Sequence, residues 1–283
     1  MSKVLVTHFT DPMMGLSWEM EPALRAIEVR FGSQVEVRPA MGLLMQDVSD
    51  FMTPEERSLP EAEGLTRYNA RLARIYLQEE PIAGMPINME GFALFAPDRR
   101  TSLPLCLAYE AVAALRPKLA ATFLYRLRYA TVVECRPTTK LEELVRVAKL
   151  CDMGEGEFLD TYRSSEAQNH LYRDLALKEQ LGIYGLPALL VSSGDQAAFL
   201  PGVPSYQQLE QAVAQVSNGA VSHIRQAPRP TCYARCSHPI RSSLPWRSQP
   251  RLTSRAAMRR LHWQSRSSTR ERPASTQLQR VCS

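Results

Sequence analysis

Cysteine is scarce in this sequence. There are six in 283 residues: Cys106, Cys135 and Cys151 in the body, and Cys232, Cys236 and Cys282 near the end. No two of the first three stand at the spacing of a redox motif. In a reducing compartment they are expected to be free thiols packed as small apolar side chains. No apolar run approaches the roughly eighteen residues of a membrane span. The opening MSKVLVTHFTD offers one lysine and four residues before His8, too short for a secretory leader, so a soluble, cytoplasmic protein without membrane contact is expected. The body has no glycine-rich phosphate loop and no metal-ligand spacing, which leaves nucleotide and metal chemistry without residues to perform it. Lysine is missing altogether from Ser217 to Ser283, where thirteen arginines face a single acid, Glu271, for a net charge of +12. The whole chain is +5, so Met1 to Val216 carries 5 − 12 = −7.

The result is an acidic body with a basic tail. The tail, 217–283, has the composition of a disordered segment. It can attract nucleic acid by charge alone, and no nucleic-acid-binding motif accompanies it, so only non-specific contact is expected. Cys232, Cys236 and His238, with His223, do not match the usual zinc spacings, and no metal site is expected.

What is present in the body is regular. KVLVTHF reads as a short buried strand, and LSWEMEPALRAIEVRFG as a helix with Leu16, Met20, Leu24 and Ile27 on one face, stopped by Gly32. QVEVRPAMG alternates as a second strand, and the short connections favour a parallel strand–helix–strand unit. From about Phe51 to Gln180 the pattern is helical. Thr53 and Glu56 form a capping box, as do Thr139 and Glu142. Leu65, Tyr68, Leu72, Ile75 and Tyr76 line one helical face, and Pro117 divides two further helices. Strand signals return in GLPALLVSS and QAAFLPG around a Gly194-Asp195 turn, and Ser205 and Gln208 cap a last helix facing inward through Leu209, Ala212 and Val213. The layout predicts an α/β fold: strands and helices in 1–50 and 181–216, with a helical insertion, 51–180, between them.

Four stretches carry a resemblance to a known family: TDPMMGLSWEMEPALRAIEVRFGSQVEVRPAMGLL, GMPINMEGF, FLYRLRYATVVE and DLALKEQLGIYGLPALLV. In that order they resemble the DsbA-like branch of the thioredoxin superfamily, above all its FrnE-type members and SpxH-type adaptors. The resemblance implies a thioredoxin fold (βαβ…ββα) interrupted by helices. It also implies a Cys-x-x-Cys at the start of the first helix, where free N–H groups and the helix dipole favour a thiolate. Here those two positions hold Met14 and Ser17. A thioether has no proton to lose and a hydroxyl cannot resolve a mixed disulfide, so no catalytic residue is expected. The family's second landmark matches Leu186 and Pro187, a loop implied to be cis and to leave backbone groups open to an extended peptide or glutathione.

Three functional expectations arise. The first is a binding protein that has lost the catalytic pair and holds a protein or peptide client in a groove lined by Met13, Met14, Gly15, Ser17, Trp18, Leu186 and Pro187. The adjacent methionines suit varied ligands, and Trp18 and Met20 extend the apolar surface. The second is a glutathione-linked enzyme resembling the kappa-class transferases and 2-hydroxychromene-2-carboxylate isomerases. Their serine stands at the first cysteine position, whereas Ser17 stands at the second. Ser17 also has a local role open to it within the first helical turn. The third is residual thiol–disulfide exchange. No cofactor is required by the first reading, and glutathione is the one the second would need. His8 is expected to be a structural strand-end residue, His170 to be solvated, and Asp11 to serve the turn before Pro12.

Overall fold

The computed structural model of the chain describes residues 3–224. The arginine-rich stretch from Arg225 onward, with Cys232, Cys236, His238 and Cys282, lies outside the described residues. Four strands form one sheet: β1 (Val4–Thr10), β2 (Val35–Met41), β3 (Ala188–Ser193) and β4 (Gln196–Pro201). Their spatial order is β2-β1-β3-β4, with β1 parallel to β2 and antiparallel to β3. Ten α-helices lie among the described residues. After β1 come α1 (Gly15–Glu19) and α2 (Glu21–Phe31), and after β2 come α3 (Pro54–Ser58) and α4 (Glu61–Glu79). Then come α5 (Leu103–Leu115), α6 (Pro117–Val132), α7 (Leu141–Leu150), α8 (Glu155–Tyr162) and α9 (Ser165–Gln180); α10 (Tyr206–Val216) lies after β4. This is the thioredoxin arrangement, split by helices between β2 and β3.

Two large apolar cores result, beside a small cluster of Phe9, Ala40, Ile183 and Ala188 against which Leu186 packs. One packs Val4 and Val6 of β1 and Leu189 and Val191 of β3 under Leu24, Ile27 and Phe31 of α2 and Leu209, Val213 and Val216 of α10. The other joins the inserted helices through Tyr68, Leu72, Tyr76, Phe123 and Phe158, and takes in Met13 and Trp18 from the α1 region. The turn after β1 is therefore clamped between the two cores.

Several local expectations change. The helix after β1 is not continuous: it breaks at Met20, because Pro22 sits in the first turn of α2 and cannot extend a preceding helix. The Thr53–Glu56 and Ser205–Gln208 capping boxes form. The Thr139 box does not: α7 starts at Leu141 behind Lys140, and Thr139 donates its hydroxyl to Leu94 O at 2.5 Å. Ile75 is not on the inner face of α4; it is exposed, while Leu65, Tyr68, Leu72 and Tyr76 are buried. The first tail residues fold back on the body, where Ile224 N donates to Arg30 O at 2.8 Å and Gln34 Nε2 to Ser222 O at 2.8 Å.

Candidate functional site: the turn after β1 and the Leu186-Pro187 loop

β1 ends at Thr10, and Asp11 organises the turn beyond it. Its Oδ1 accepts from Met13 N at 3.0 Å. Its Oδ2 accepts from Leu44 N at 2.9 Å, from the Ser102 hydroxyl at 2.5 Å and from the Cys106 thiol at 3.5 Å. Asp11 is thus more than a turn residue: it ties the turn to the loop after β2 and to the start of α5. Burial pushes its carboxyl upward, against the donors that favour the anion.

Met14 is the N-cap residue of α1 and supplies no side-chain cap. Ser17, one turn on, does not bond to the helix backbone. Its Oγ accepts from Thr10 Oγ1 at 2.7 Å, faces His8 Nε2 at 3.4 Å and lies 3.9 Å from Met14 Sδ. Thr10 Oγ1 in turn accepts from Arg128 Nη2 at 2.7 Å, while Arg128 Nη1 pairs with Glu21 Oε1 at 2.7 Å. Arg128, on α6, is 1% exposed. Burial, and secondarily the Arg128 charge, hold the His8 imidazole well below its usual range, so the ring is neutral at pH 7. His8, Glu21 and Arg128 line a cavity of about 30 Å³, room for one or two water molecules. Met13, Met14, Ser17 and Trp18 are all buried. Trp18 and Met20 add nothing to an outer surface: the Trp18 indole donates to Pro86 O at 3.1 Å and packs on Tyr125, and Met20 lies in the sheet core.

A helix of the insertion closes over this turn. Tyr76 donates its hydroxyl to Met13 O at 2.5 Å, and a Cβ placed on Gly15 would stand 2.0 Å from Glu79 Oε2 and 2.8 Å from Tyr76 Cδ1. Only glycine leaves that space free. Burial, and then the charge of Glu19, push the Glu79 carboxyl up to about 7. Glu19 is buried too, and its Oε2 accepts from Ala83 N at 2.8 Å.

Phe9 pairs with Ala188, so the chain leaving β1 runs beside the residues that enter β3. The Leu186-Pro187 bond there is cis, and Pro187 O accepts from Gly202 N at 2.9 Å. Leu186 lies over Gly42, whose N–H donates to Thr10 O at 2.7 Å. Helix α9 holds the same corner: Lys178 Nζ donates to Gly42 O at 2.7 Å, and Asp174 Oδ2 accepts from Met41 N at 2.6 Å. Behind Asp174 sits Glu110 of α5; burial raises both carboxyls, the Asp174 charge raises Glu110 further, and hydrogen bonds from Met41 N and Glu110 hold Asp174 back. His170 is half-buried rather than solvated, 3.7 Å from Glu110 Oε2. Just before the loop, Tyr184 is 96% exposed.

Of the residues singled out in the sequence, the structure gathers Met13, Met14, Gly15, Ser17 and Trp18 on one turn, and sets Leu186 and Pro187 at the adjoining end of the sheet. Sequence patterns gave no sign of Arg128, Glu79, Glu19, Ser102 or Tyr184 at this site. Among the described cysteines, Cys106 and Cys151 are buried, and burial raises the thiols of Cys106 and Cys135. Among the described residues no cluster of three metal-ligating side chains occurs, and no helix is long and apolar enough to cross a membrane.

A parallel β1–β2 pair, an antiparallel β3–β4 pair and a proline loop opposite a helix start define a thioredoxin-fold protein. Residues 8–211 match the family model described as Thioredoxin. The chain belongs to the thioredoxin family. Solved structures of the same fold include a putative protein disulfide isomerase from Nitrosomonas europaea. It has 20% identity and TM-score 0.63, and the match covers 77% of this chain and 99% of that one. The cytosolic disulfide reductase DsbM from Pseudomonas aeruginosa has 20% identity and TM-score 0.54, with 76% and 94% covered. A probable DsbA oxidoreductase from Streptomyces coelicolor has 14% identity and TM-score 0.56, with 80% and 92% covered. No curated protein matches the chain.

Proposed function

We propose that this protein binds an extended polypeptide at the Leu186-Pro187 loop and does not exchange disulfides, with Met14 and Ser17 standing where FrnE-type relatives carry their cysteines. The observation that carries the reading is the contrast between the two halves of the site. Ser17 is fully buried and its hydroxyl is engaged by Thr10 and His8, while Tyr184, beside the loop, is 96% exposed. A buried hydroxyl already accepting a bond from Thr10 is not an attacking group, and a thioether at Met14 has no thiolate form. An exposed aromatic beside a proline loop suits an extended segment laid along free backbone groups, as in strand addition. The partner is a client or regulatory protein in the cytoplasm, in keeping with adaptor-like relatives.

Glutathione is the second reading. The P. aeruginosa reductase DsbM, 21% identical with TM-score 0.53, was solved with GSH. A transferase or isomerase of the kappa type needs a serine facing the thiolate, and Ser17 is turned inward toward β1. Glutathione would therefore have to bind through the Pro187 loop alone.

A thermal-shift comparison separates the two, because a ligand selective for the native state raises apparent stability. Extended apolar peptides are expected to raise the melting temperature and glutathione to leave it unchanged. Stabilisation by glutathione with none by peptides reverses the assignment.

A further inference from the structure

The two edges of the sheet differ in kind. An edge strand presents unpaired N–H and C=O groups that another strand can take up, and charged side chains or an internal proline discourage that. β2 is guarded: it carries Glu36, Arg38 and Pro39, Lys3 pairs with Glu36 at 2.9 Å, and Asp174 Oδ2 occupies Met41 N. β4 is not. Its sequence QAAFLP holds no charge, and its proline is the last residue. Among the described residues it pairs only with β3, and Gln196, Ala197, Phe199 and Pro201 are exposed, Phe199 to 50%. The register fixes which backbone groups are free. Ser193 and Gln196 close the Gly194-Asp195 turn, so the bonded pairs with β3 fall at Gln196, Ala198 and Leu200. The bond from Gly202 N to Pro187 O continues that alternation. Ala197 and Phe199 therefore aim both N–H and C=O outward. Their side chains share one face, with Phe199 beside Leu190, while Ala198 and Leu200 lean on the opposite core under α10.

We propose that β4 is a dimer edge, pairing antiparallel with β4 of a second copy of this chain about a twofold axis at Ala198. In that register Ala197 lies opposite Phe199 of the second copy and the two exchange bonds in both directions, so every outward N–H of both strands is used. Centring the axis on Phe199 instead sets Ala197 against Pro201, whose missing N–H leaves the Ala197 carbonyl unpaired. The side chains fit the same register. Phe199 stands beside the small Ala197 and diagonal to the other Phe199, Ala198 meets Ala198, and Leu200 meets Gln196. Charge selects the occupant. Met1 to Val216 is acidic overall, and a twofold contact brings the charges of one edge up to those of the same edge. An uncharged strand meets that requirement, whereas an edge recruiting a basic segment would carry acids. Asp195, the acid next to β4, falls opposite Pro201 and meets no like charge in the pairing.

The test uses the full chain, of 31.9 kDa, in sedimentation velocity. The wild type is expected to run at twice that mass. Phe199→Lys, which brings two like charges together across the axis, is expected to run at the mass of one chain with its circular dichroism unchanged. Ala198→Cys reads the register, because facing positions of a non-bonded pair have Cα atoms about 4.5 Å apart, within reach of a disulfide. Mild oxidation of A198C is expected to join two chains through position 198. Peptide mass spectrometry separates that link from any formed by the six cysteines of the chain itself. A monomeric wild type, a dimer that persists in F199K, or a dimer in which A198C never links through position 198 overturns the proposal. If the wild type is monomeric and F199K loses affinity for extended peptides, the edge belongs to a polypeptide and not to a second copy. Should F199K not fold, Ala197→Lys, at an exposed alanine on the same face, gives the same reading.

Discussion

Ser17 Oγ accepts a hydrogen bond from Thr10 Oγ1 at 2.7 Å, and that Thr10 oxygen accepts one from the buried guanidinium of Arg128 at 2.7 Å. The hydroxyl on α1 is thereby the end of a chain that begins in the inserted helices and crosses the last residue of β1. A side chain in that position holds two parts of the fold together. Replacing Ser17 by alanine leaves the Thr10 proton without its acceptor in a dry environment, which costs about 1–3 kcal/mol. Urea denaturation of Ser17→Ala is expected to show that loss, with peptide affinity unmoved.

Arg128 is the more severe position. It is 1% exposed and pairs with Glu21 at 2.7 Å, so removing the guanidinium strands a buried carboxylate. Breaking such a pair from one side costs about 3–5 kcal/mol. Glu21 keeps Arg25 at 3.1 Å, which places Arg128→Met at the lower end, about 3 kcal/mol. Chemical denaturation measures it, and an unchanged midpoint contradicts the packing described.

Gly15 and Glu79 compete for one space. With Glu79 Oε2 2.0 Å and Tyr76 Cδ1 2.8 Å from a Cβ at position 15, Gly15→Ala must displace both and loosen the Tyr76 bond to Met13 O. A loss of about 1–3 kcal/mol is expected, in the range of overpacked sites. Pairing it with Glu79→Ala recovers part of that loss, and a double-mutant cycle reads the coupling directly. Simple additivity of the two changes would show that they do not touch.

Stability is expected to depend on pH through Glu79. Its carboxyl lies at about 7 in the fold against 4.5 when unperturbed, so the folded chain holds the proton more tightly than the unfolded one. That contribution is complete below pH 4.5 and is lost as pH rises to about 7. His8 acts in the opposite sense, since burial keeps it neutral and its contribution is lost as pH falls below 6.5. The measurement is therefore the urea midpoint of the wild type minus that of E79Q, which should decline from pH 4.5 to 7 and then stay level. The Glu110–Asp174 pair, also raised by burial, extends the decline of the wild type above that window without affecting the difference.

Much of the architecture was legible because it is local. The Thr53 and Ser205 capping boxes and the Gly194-Asp195 hairpin need only a few neighbouring residues, and each appears where its pattern stood. Thr139 shows the limit of that logic: the same spelling found a better acceptor at Leu94 O, 45 residues away in sequence. The site was half legible. Met14, Ser17 and Pro187 were found through likeness to a family. The side chains that decide what the turn can do are Arg128, 118 residues from Thr10, and Ser102, 91 residues from Asp11. A buried arginine within FLYRLRYA reads as a solvated helix face until the fold sets Glu21 and Thr10 against it. The covering of the Met13–Gly15 turn by α4 was hidden for the same reason, since periodicity tells which face of α4 is apolar and not what lies beneath it.

Tyr184 is the exposed arm of the proposed groove. At 96% exposure its removal should alter stability by no more than about 0.5 kcal/mol. Tyr184→Ala is expected to weaken binding of extended peptides with the melting temperature unchanged. Retained affinity would move the groove away from the Leu186-Pro187 loop.

The proposal that this thioredoxin fold binds without exchanging disulfides is tested most directly by insulin reduction in the presence of dithiothreitol. Turnover at the uncatalysed rate is predicted for the wild type and for variants in which Cys106, Cys135 or Cys151 is replaced. Robust turnover by the wild type, abolished by replacing one of those three cysteines, would contradict it.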